Sequence, residues 1–281
     1  MLSAKNFGLP SFGAGVGLRH RYLSQIVALS PKIDWFEVIV EDFFDIGGEE
    51  AALLEVIGEK YQLIAHGVCL SIGSSDKLDF DYLAKLKKFI RKINSPWTSD
   101  HLSFTRVDHQ NLNDLLPLPY TKECLDNLVN KVKEVQDFLE TPFLLENISR
   151  YITPSAREMS ELEFINQTLE RSGCGLLLDL TNVHLNAHHH SFDAYDYLKS
   201  LPLNRIAQVH LAGWKPDSDG QLIDSHDAEV PKEIWELFKW FTTQAGPTSA
   251  LIEWDKALPD LSTLEEEARK ARIILREYGA S

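Results

Sequence analysis

The sequence predicts an α/β fold, a single (β/α)8 TIM barrel forming one domain over residues 1–281. Three observations carry this. Strand-like apolar runs alternate with helix-like amphipathic stretches about eight times, with no linker or low-complexity tract between them. The polar residues that interrupt the runs gather at their ends. And those residues are nearly all His, Asp, Glu or Asn, the types that do chemistry at the carboxyl ends of barrel strands. A doubly wound open sheet is the structural alternative, since it is built from the same alternation.

In chain order, the run at 14–18 precedes a short helical stretch at 22–29. Residues 35–41 (WFEVIVE) precede 49–60, and 63–72 (LIAHGVCLSI) precede 79–93. Residues 98–105 (TSDHLSFT) lead to the clearest helix, 122–139, where Leu125, Leu128, Val129, Val132, Val135 and Leu139 recur at helical spacing. Residues 143–148 (FLLENI) lead to a helix for which Ser155 and Glu158 suggest a capping box. The central stretch, 175–186 (GLLLDLTNVHLN), reads as a buried strand ending in Asp179, Asn182 and His184, and a short helix near 192–200 follows. The last two units are 206–214 (IAQVHLAGW) with 232–244, and 250–255 (ALIEWD) with a final helix capped by Ser262 and Glu265.

Reading the strand ends in turn gives Arg19 and His20, Glu41, His66, Asp100 and His101, Glu146 and Asn147, and Asp179 with Asn182. The seventh gives His210 with Asp224 and His226 in its loop, and the eighth Glu253 and Asp255. Burying such groups unpaired is costly, so their convergence on one face points to a metal centre. Nine are candidate ligands: His66, His101, Glu146, Asp179, Asn182, His210, Asp224, His226 and Glu253. One six-coordinate ion cannot use nine side chains and stay open to substrate, whereas two or three ions sharing carboxylates can. A nitrogen and oxygen donor set without cysteine disfavours structural zinc and iron–sulfur clusters.

Composition narrows the classes further. A net charge of −14 argues against nucleic acid or an anionic membrane as the main partner. No apolar stretch approaches the roughly 20 residues of a membrane span, and the first residues lack a signal-peptide core. Cys69, Cys124 and Cys174 are widely separated, which fits a reduced, cytoplasmic setting. His188–His190 reads as solvated loop, and so does His109. Trp214 and Trp254 wall a pocket or pack in the core, and Glu265–Glu267 suit the first turn of the last helix.

With these residues in place, the chain resembles the multinuclear non-haem iron-dependent oxidase family, which includes the methanobactin-biosynthesis oxidases. The stretches that carry the resemblance are GVGLRHRYL (15–23), AHGVCLSIGS (65–74), SDHLSFT (99–105), LLENISRYI (144–152), GLLLDLTNVHLNA (175–187), QVHLAGW (208–214), DSHDAEV (224–230) and LIEWD (251–255). The resemblance implies a xylose-isomerase-like barrel holding two or three iron ions, with zinc or manganese as alternative occupants. It also implies O2-dependent oxidation of cysteine in a ribosomally made precursor peptide, delivered by a separate partner protein. The ligand role falls on the nine residues above, while Glu41 and His20 become pocket residues or supports behind the ligands. Two positions depart from the family pattern: Thr181, where Asn is usual, and His184, where Tyr is common. The rival readings are a zinc hydrolase or endonuclease, a sugar isomerase using Glu146 and Glu253 as acid and base, and a non-catalytic metal-bound module. The mouth near 217–224 is where a partner would present the peptide.

Overall fold

In the computed structural model, which describes residues 5–108 and 110–279, strands and helices alternate as the sequence predicts. The strands are β1 (Ala14–Leu18), β2 (Trp35–Ile39), β3 (Gln62–His66), β4 (Thr98–His101), β5 (Phe104–Val107), β6 (Gln110–Leu116), β7 (Phe143–Glu146), β8 (Gly175–Asp179), β9 (Ile206–Ala212) and β10 (Ser249–Glu253). The helices are α1 (Leu23–Leu29), α2 (Val40–Phe43), α3 (Gly48–Lys60), α4 (Phe80–Ile93), α5 (Lys122–Leu139), α6 (Glu161–Ser172), α7 (Leu180–His190), α8 (Ala194–Lys199), α9 (Lys232–Ala245) and α10 (Leu261–Tyr278). Eight strands form a closed parallel barrel in the order β1-β10-β9-β8-β7-β4-β3-β2, while β5 and β6 pair as a separate antiparallel hairpin. The open-sheet alternative is thereby excluded.

The barrel interior is built in layers by the two-residue period of its strands. Trp35, Ile64, Trp97, Leu144, Leu177 and Leu251 pack together inside, closed from below by Phe7, Leu9 and Phe12. Burial of each large apolar side chain in this plug contributes roughly 1.5–3 kcal/mol. Two residues further along four of these strands come His66, Glu146, Asp179 and Glu253. The same alternation that buries the plug therefore turns four polar groups inward at one level. Gly15 makes room for the plug, because a Cβ there would sit 2.4 Å from the Trp35 ring. A larger apolar layer fills the space between barrel and helices.

Several local expectations are corrected. The cap of α6 is Ser160, whose hydroxyl accepts from Glu163 N while Glu163 accepts from Ser160 N; residues 155–158 lie ahead of the helix. Ser262 lies inside α10, whose N-cap is Asp260, so no capping box forms there. Glu265–Glu267 all lie beyond the first turn of α10, which holds no acidic residue, and Glu267 is buried, accepting from Val230 N and pairing with Lys270. Residues 180–190 are helix rather than strand end, because Asp179 takes the N-cap position and accepts from Asn182 N at 2.7 Å. His188–His190 consequently form the last turn of α7, where His189 bonds Leu222 O and His190 bonds Arg150 O. His109 lies outside the described residues. No described helix is long and apolar enough to cross a membrane.

Candidate metal centre

The nine sequence-predicted donors meet at the carboxyl ends of the strands. His66, Asp179 and His210 form the deep part, each no more than 1% exposed. His101, Glu146, Asn182, Asp224, His226 and Glu253 line a cavity of about 410 Å³ above them. The cavity opens past Leu115 and Leu116 of the β5–β6 hairpin and past Tyr151 and Ile152, which follow β7. The sequence pattern places only residues 104–105 of that hairpin in a strand and reads 107–114 as loop, because β6 is exposed and polar over most of its length.

The contacts between these groups do not resemble an ordinary polar core. His210 Nδ1 is 3.1 Å from both Glu146 Oε1 and Glu253 Oε2. Glu146 Oε2 is 3.4 Å from Nε2 of His66 and from Nε2 of His101. Asp224 Oδ1 approaches His226 Nε2 to 2.6 Å, and Glu253 Oε2 lies 3.5 Å from His226 Nδ1. Yet each of the nine residues retains one buried side-chain nitrogen or oxygen with no hydrogen-bond partner. Buried polar atoms are normally satisfied, so nine orphans crowded at one site call for a shared partner such as a cation. Three groups have donor atoms within 4.8 Å of one another: His66, His101 and Glu146; Glu146, Asp179, His210 and Glu253; and His226, Glu253 and Asp255. Glu146 and Glu253 each belong to two of these groups, as bridging carboxylates do.

Neighbouring groups aim the donors. Asn182 Nδ2 donates to Asn147 O, which leaves its Oδ1 facing the site. Asn147 in turn bonds both N and O of Asp179, locking the ends of β7 and β8 together. Ser149 donates to Asp224 Oδ2, and Tyr151 OH accepts from Asp224 N, so the loop after β9 is tied to the loop after β7. His66 Nδ1 contacts Ser99 Oγ, and His226 Nδ1 contacts Asp255 Oδ2, whose other oxygen pairs with Arg19. Gly213 lets the 224–230 segment pass over β9, because a Cβ there would lie 2.2 Å from the carbonyl oxygens of Ala228 and Glu229.

The electrostatics set burial against the mutual attraction of carboxylates and imidazoles. Burial raises the Glu253 carboxyl, but His226 and His210 outweigh it and hold the group well below its ordinary range. Burial likewise opposes charge on His210 and His226, yet the facing carboxylates push both imidazoles well above theirs. Asp179 moves the other way: burial, then Asp224 and Glu146, raise it far above an ordinary carboxyl. Burial lowers His101.

Two predicted residues are not part of this gathering. His20 stacks on Phe43, contacts Asp42 O and faces Glu50 on the outer surface, so it does not reach the cavity. Its helical turn follows the strand end and swings the ring outward. Glu41 stands behind the wall, where Oε1 accepts from Val68 N, Cys69 N and Tyr82 OH and shapes the loop after β3. The departures at 181 and 184 are also placed: Thr181 clasps Ala212 through both backbone groups, and His184 stacks on Trp214 away from the cavity. Trp254 packs in the core. Sequence reasoning missed Glu37, which contacts His210 Nε2 at 3.1 Å. The available signal was a carboxylate two residues after the inward Trp35 in an otherwise apolar strand.

Comparison with known proteins agrees with this picture. Residues 13–276 match the family described as RiPP precursor modification enzyme MbnB/TglH/ChrH. A UPF0276 protein of Anaeromyxobacter sp. (strain Fw109-5) is 43% identical over 262 residues, covering 93% of this chain and 92% of its own. A UPF0276 protein of Caulobacter vibrioides is 40% identical, covering 94% of each chain. Among solved structures, a xylose isomerase domain containing protein from Salmonella typhimurium superposes with TM-score 0.65 at 12% identity, over 96% of this chain and 100% of that one. D-psicose 3-epimerase from Clostridium cellulolyticum H10 gives 0.60 at 13% identity, over 95% and 99%. These likenesses establish a xylose-isomerase-like TIM barrel.

Proposed function

We propose a function that starts from the family: the chain belongs to the MbnB/TglH/ChrH family of RiPP precursor modification enzymes. It is a multinuclear iron-dependent oxidase that uses O2 to modify cysteine in a ribosomally made precursor peptide, presented by a separate delivery protein. The observation that carries this reading is the set of nine buried, unpartnered donor atoms at the barrel mouth.

Those residues fit a group of hard or borderline cations: four carboxylates, of which Glu146 and Glu253 are each shared between two donor groups, one amide oxygen and four imidazoles. His66, His101 and Glu146 would hold one ion; Glu146, Asp179, His210 and Glu253 a second; and His226 with Glu253 a third, where Asp224 lies against His226 and Asn182 lines the same cavity. Iron bound by these residues would supply the one-electron redox chemistry that O2-dependent oxidation of a thiol requires.

The chain's own part is to admit and orient the peptide. A cavity of about 410 Å³ takes a cysteine and its immediate backbone rather than a folded domain, so the substrate segment enters extended. Leu115, Leu116, Tyr151 and Ile152 supply apolar contact at the rim, while the depth is reserved for the donors. The plug beneath excludes water from below. The test is anaerobic iron loading, then incubation with cysteine-containing peptides encoded nearby, together with the adjacent partner protein. A mass change that needs O2 and is lost when the peptide Cys becomes Ser supports the reading. A loaded protein that epimerises ketoses or cleaves phosphodiesters without oxygen overturns it.

A further inference from the structure

We infer that Glu37, through Gln208 and Trp97, fixes the tautomer of His210 so that Nδ1 is its metal-binding nitrogen. This rests on the proposed donor set and deepens it. Glu37 lies inside the barrel on β2, 2% exposed, and the ion pair it makes among the described residues is with His210. A carboxylate held there without Arg or Lys is expensive unless it does a job that an apolar residue could not.

The hydrogen-bond directions follow from what each group is able to do. The Trp97 indole N–H can only donate, and it lies 2.8 Å from Gln208 Oε1. The Gln208 amide is thereby oriented with its NH2 toward Glu37, to which it donates. Glu37 Oε2 also faces His210 Nε2 at 3.1 Å. Gln208 Nε2 lies 3.0 Å from the same ring nitrogen, so two arrangements compete. If Nε2 carries the proton, it donates to the carboxylate and Nδ1 offers a lone pair between Glu146 and Glu253. If Nε2 accepts from Gln208, its lone pair faces the Glu37 charge, and a proton on Nδ1 occupies the place of the ion. The carboxylate favours the first arrangement. His210 is the side chain that touches both Glu146 and Glu253, so its ring sets the geometry where the three donor groups join. Glu37 is a positioning residue, and its chain of contacts runs from β2 across the barrel interior to β9.

The test uses zinc as a diamagnetic probe metal and the full chain. In 15N-histidine-labelled wild-type protein loaded with zinc, His210, assigned by comparison with His210→Asn, should show Nε2 protonated and Nδ1 metal-bound. This reading needs no variant of Glu37 to fold. Competition with a chelator should then give zinc affinity in the order wild type, Glu37→Gln, Glu37→Leu. Gln retains an acceptor for His210 and rescues part of the loss, and Leu weakens binding about 10–100-fold with unchanged circular dichroism. Cobalt loaded in place of zinc should show an altered visible spectrum in both variants. A bound Nε2, or wild-type affinity and spectrum in both Glu37 variants, overturns the inference while leaving the donor set standing. Undiminished metal content in His210→Asn overturns the donor set itself.

Discussion

Replacing Asp179 by Asn should change stability in opposite directions with and without metal. In the metal-free protein Asp179 is completely buried, with Oδ1 accepting from Asn182 N and Oδ2 unpartnered among other carboxylates. An amide keeps the first contact and supplies a donor for the second, which recovers roughly the 1–3 kcal/mol that an unsatisfied buried group costs. For a chain of 281 residues the unfolding entropy is about 0.6 kcal/mol per degree, so the metal-free variant should melt about 2–5 °C above wild type. With metal the order reverses. One ion at 100 times its dissociation constant stabilises wild type by about 2.7 kcal/mol, or about 4–5 °C, and the variant loses most of that shift with its ligand. The pH dependence has a definite sign. Burial, then Asp224 and Glu146, raise the Asp179 carboxyl in the fold, so its neutral form is favoured there. Its stability is fully present below the unfolded value near 3.8 and is lost as pH rises through the folded value. The gap between metal-free variant and wild type should therefore widen from pH 4 upward. Differential scanning calorimetry of chelator-treated and metal-loaded samples measures all of this. A metal-free Asp179→Asn protein that melts below wild type and keeps its full metal shift would refute the reasoning.

Three further outcomes are expected. His20→Ala should leave metal content and peptide modification unchanged, because the ring faces Phe43 and Glu50 rather than the cavity; elemental analysis and mass spectrometry check this. Gly213→Ala should lower metal occupancy with the barrel intact by circular dichroism, since its Cβ would push the Ala228 and Glu229 carbonyls and the Asp224–His226 segment with them. Asp79→Ala should cost about 1 kcal/mol, or about 2 °C, through loss of the α4 cap. The backbone N–H of Tyr82, with further help from Arg106, lowers the Asp79 carboxyl. That stabilisation is present above the unfolded value near 3.8 and disappears as pH falls below it, so melting curves of the two proteins should converge in acid.

How much of this was legible in the sequence depended on whether the local pattern and the tertiary fold asked for the same residue. Leu144 with Glu146, Leu177 with Asp179 and Leu251 with Glu253 are each an apolar residue followed two positions later by a carboxylate, and strand alternation sends both inward. That repeat yields both the barrel and most of the donors. His20 obeys the same strand-end logic, but a one-turn 3-10 helix carries it outward, and nothing in the spacing announces the rotation. The α7 helix was missed because a run of three leucines masks the point at which Asp179 turns from strand residue to helix cap. Glu37 was overlooked for the converse reason. It lies in mid-strand, below the level where chemistry is expected, and its meaning depends on residues more than 170 positions away. A carboxylate in that place is locally inconsistent with its strand. Such conflicts are tolerated where another residue must be held, and here the residue held is His210.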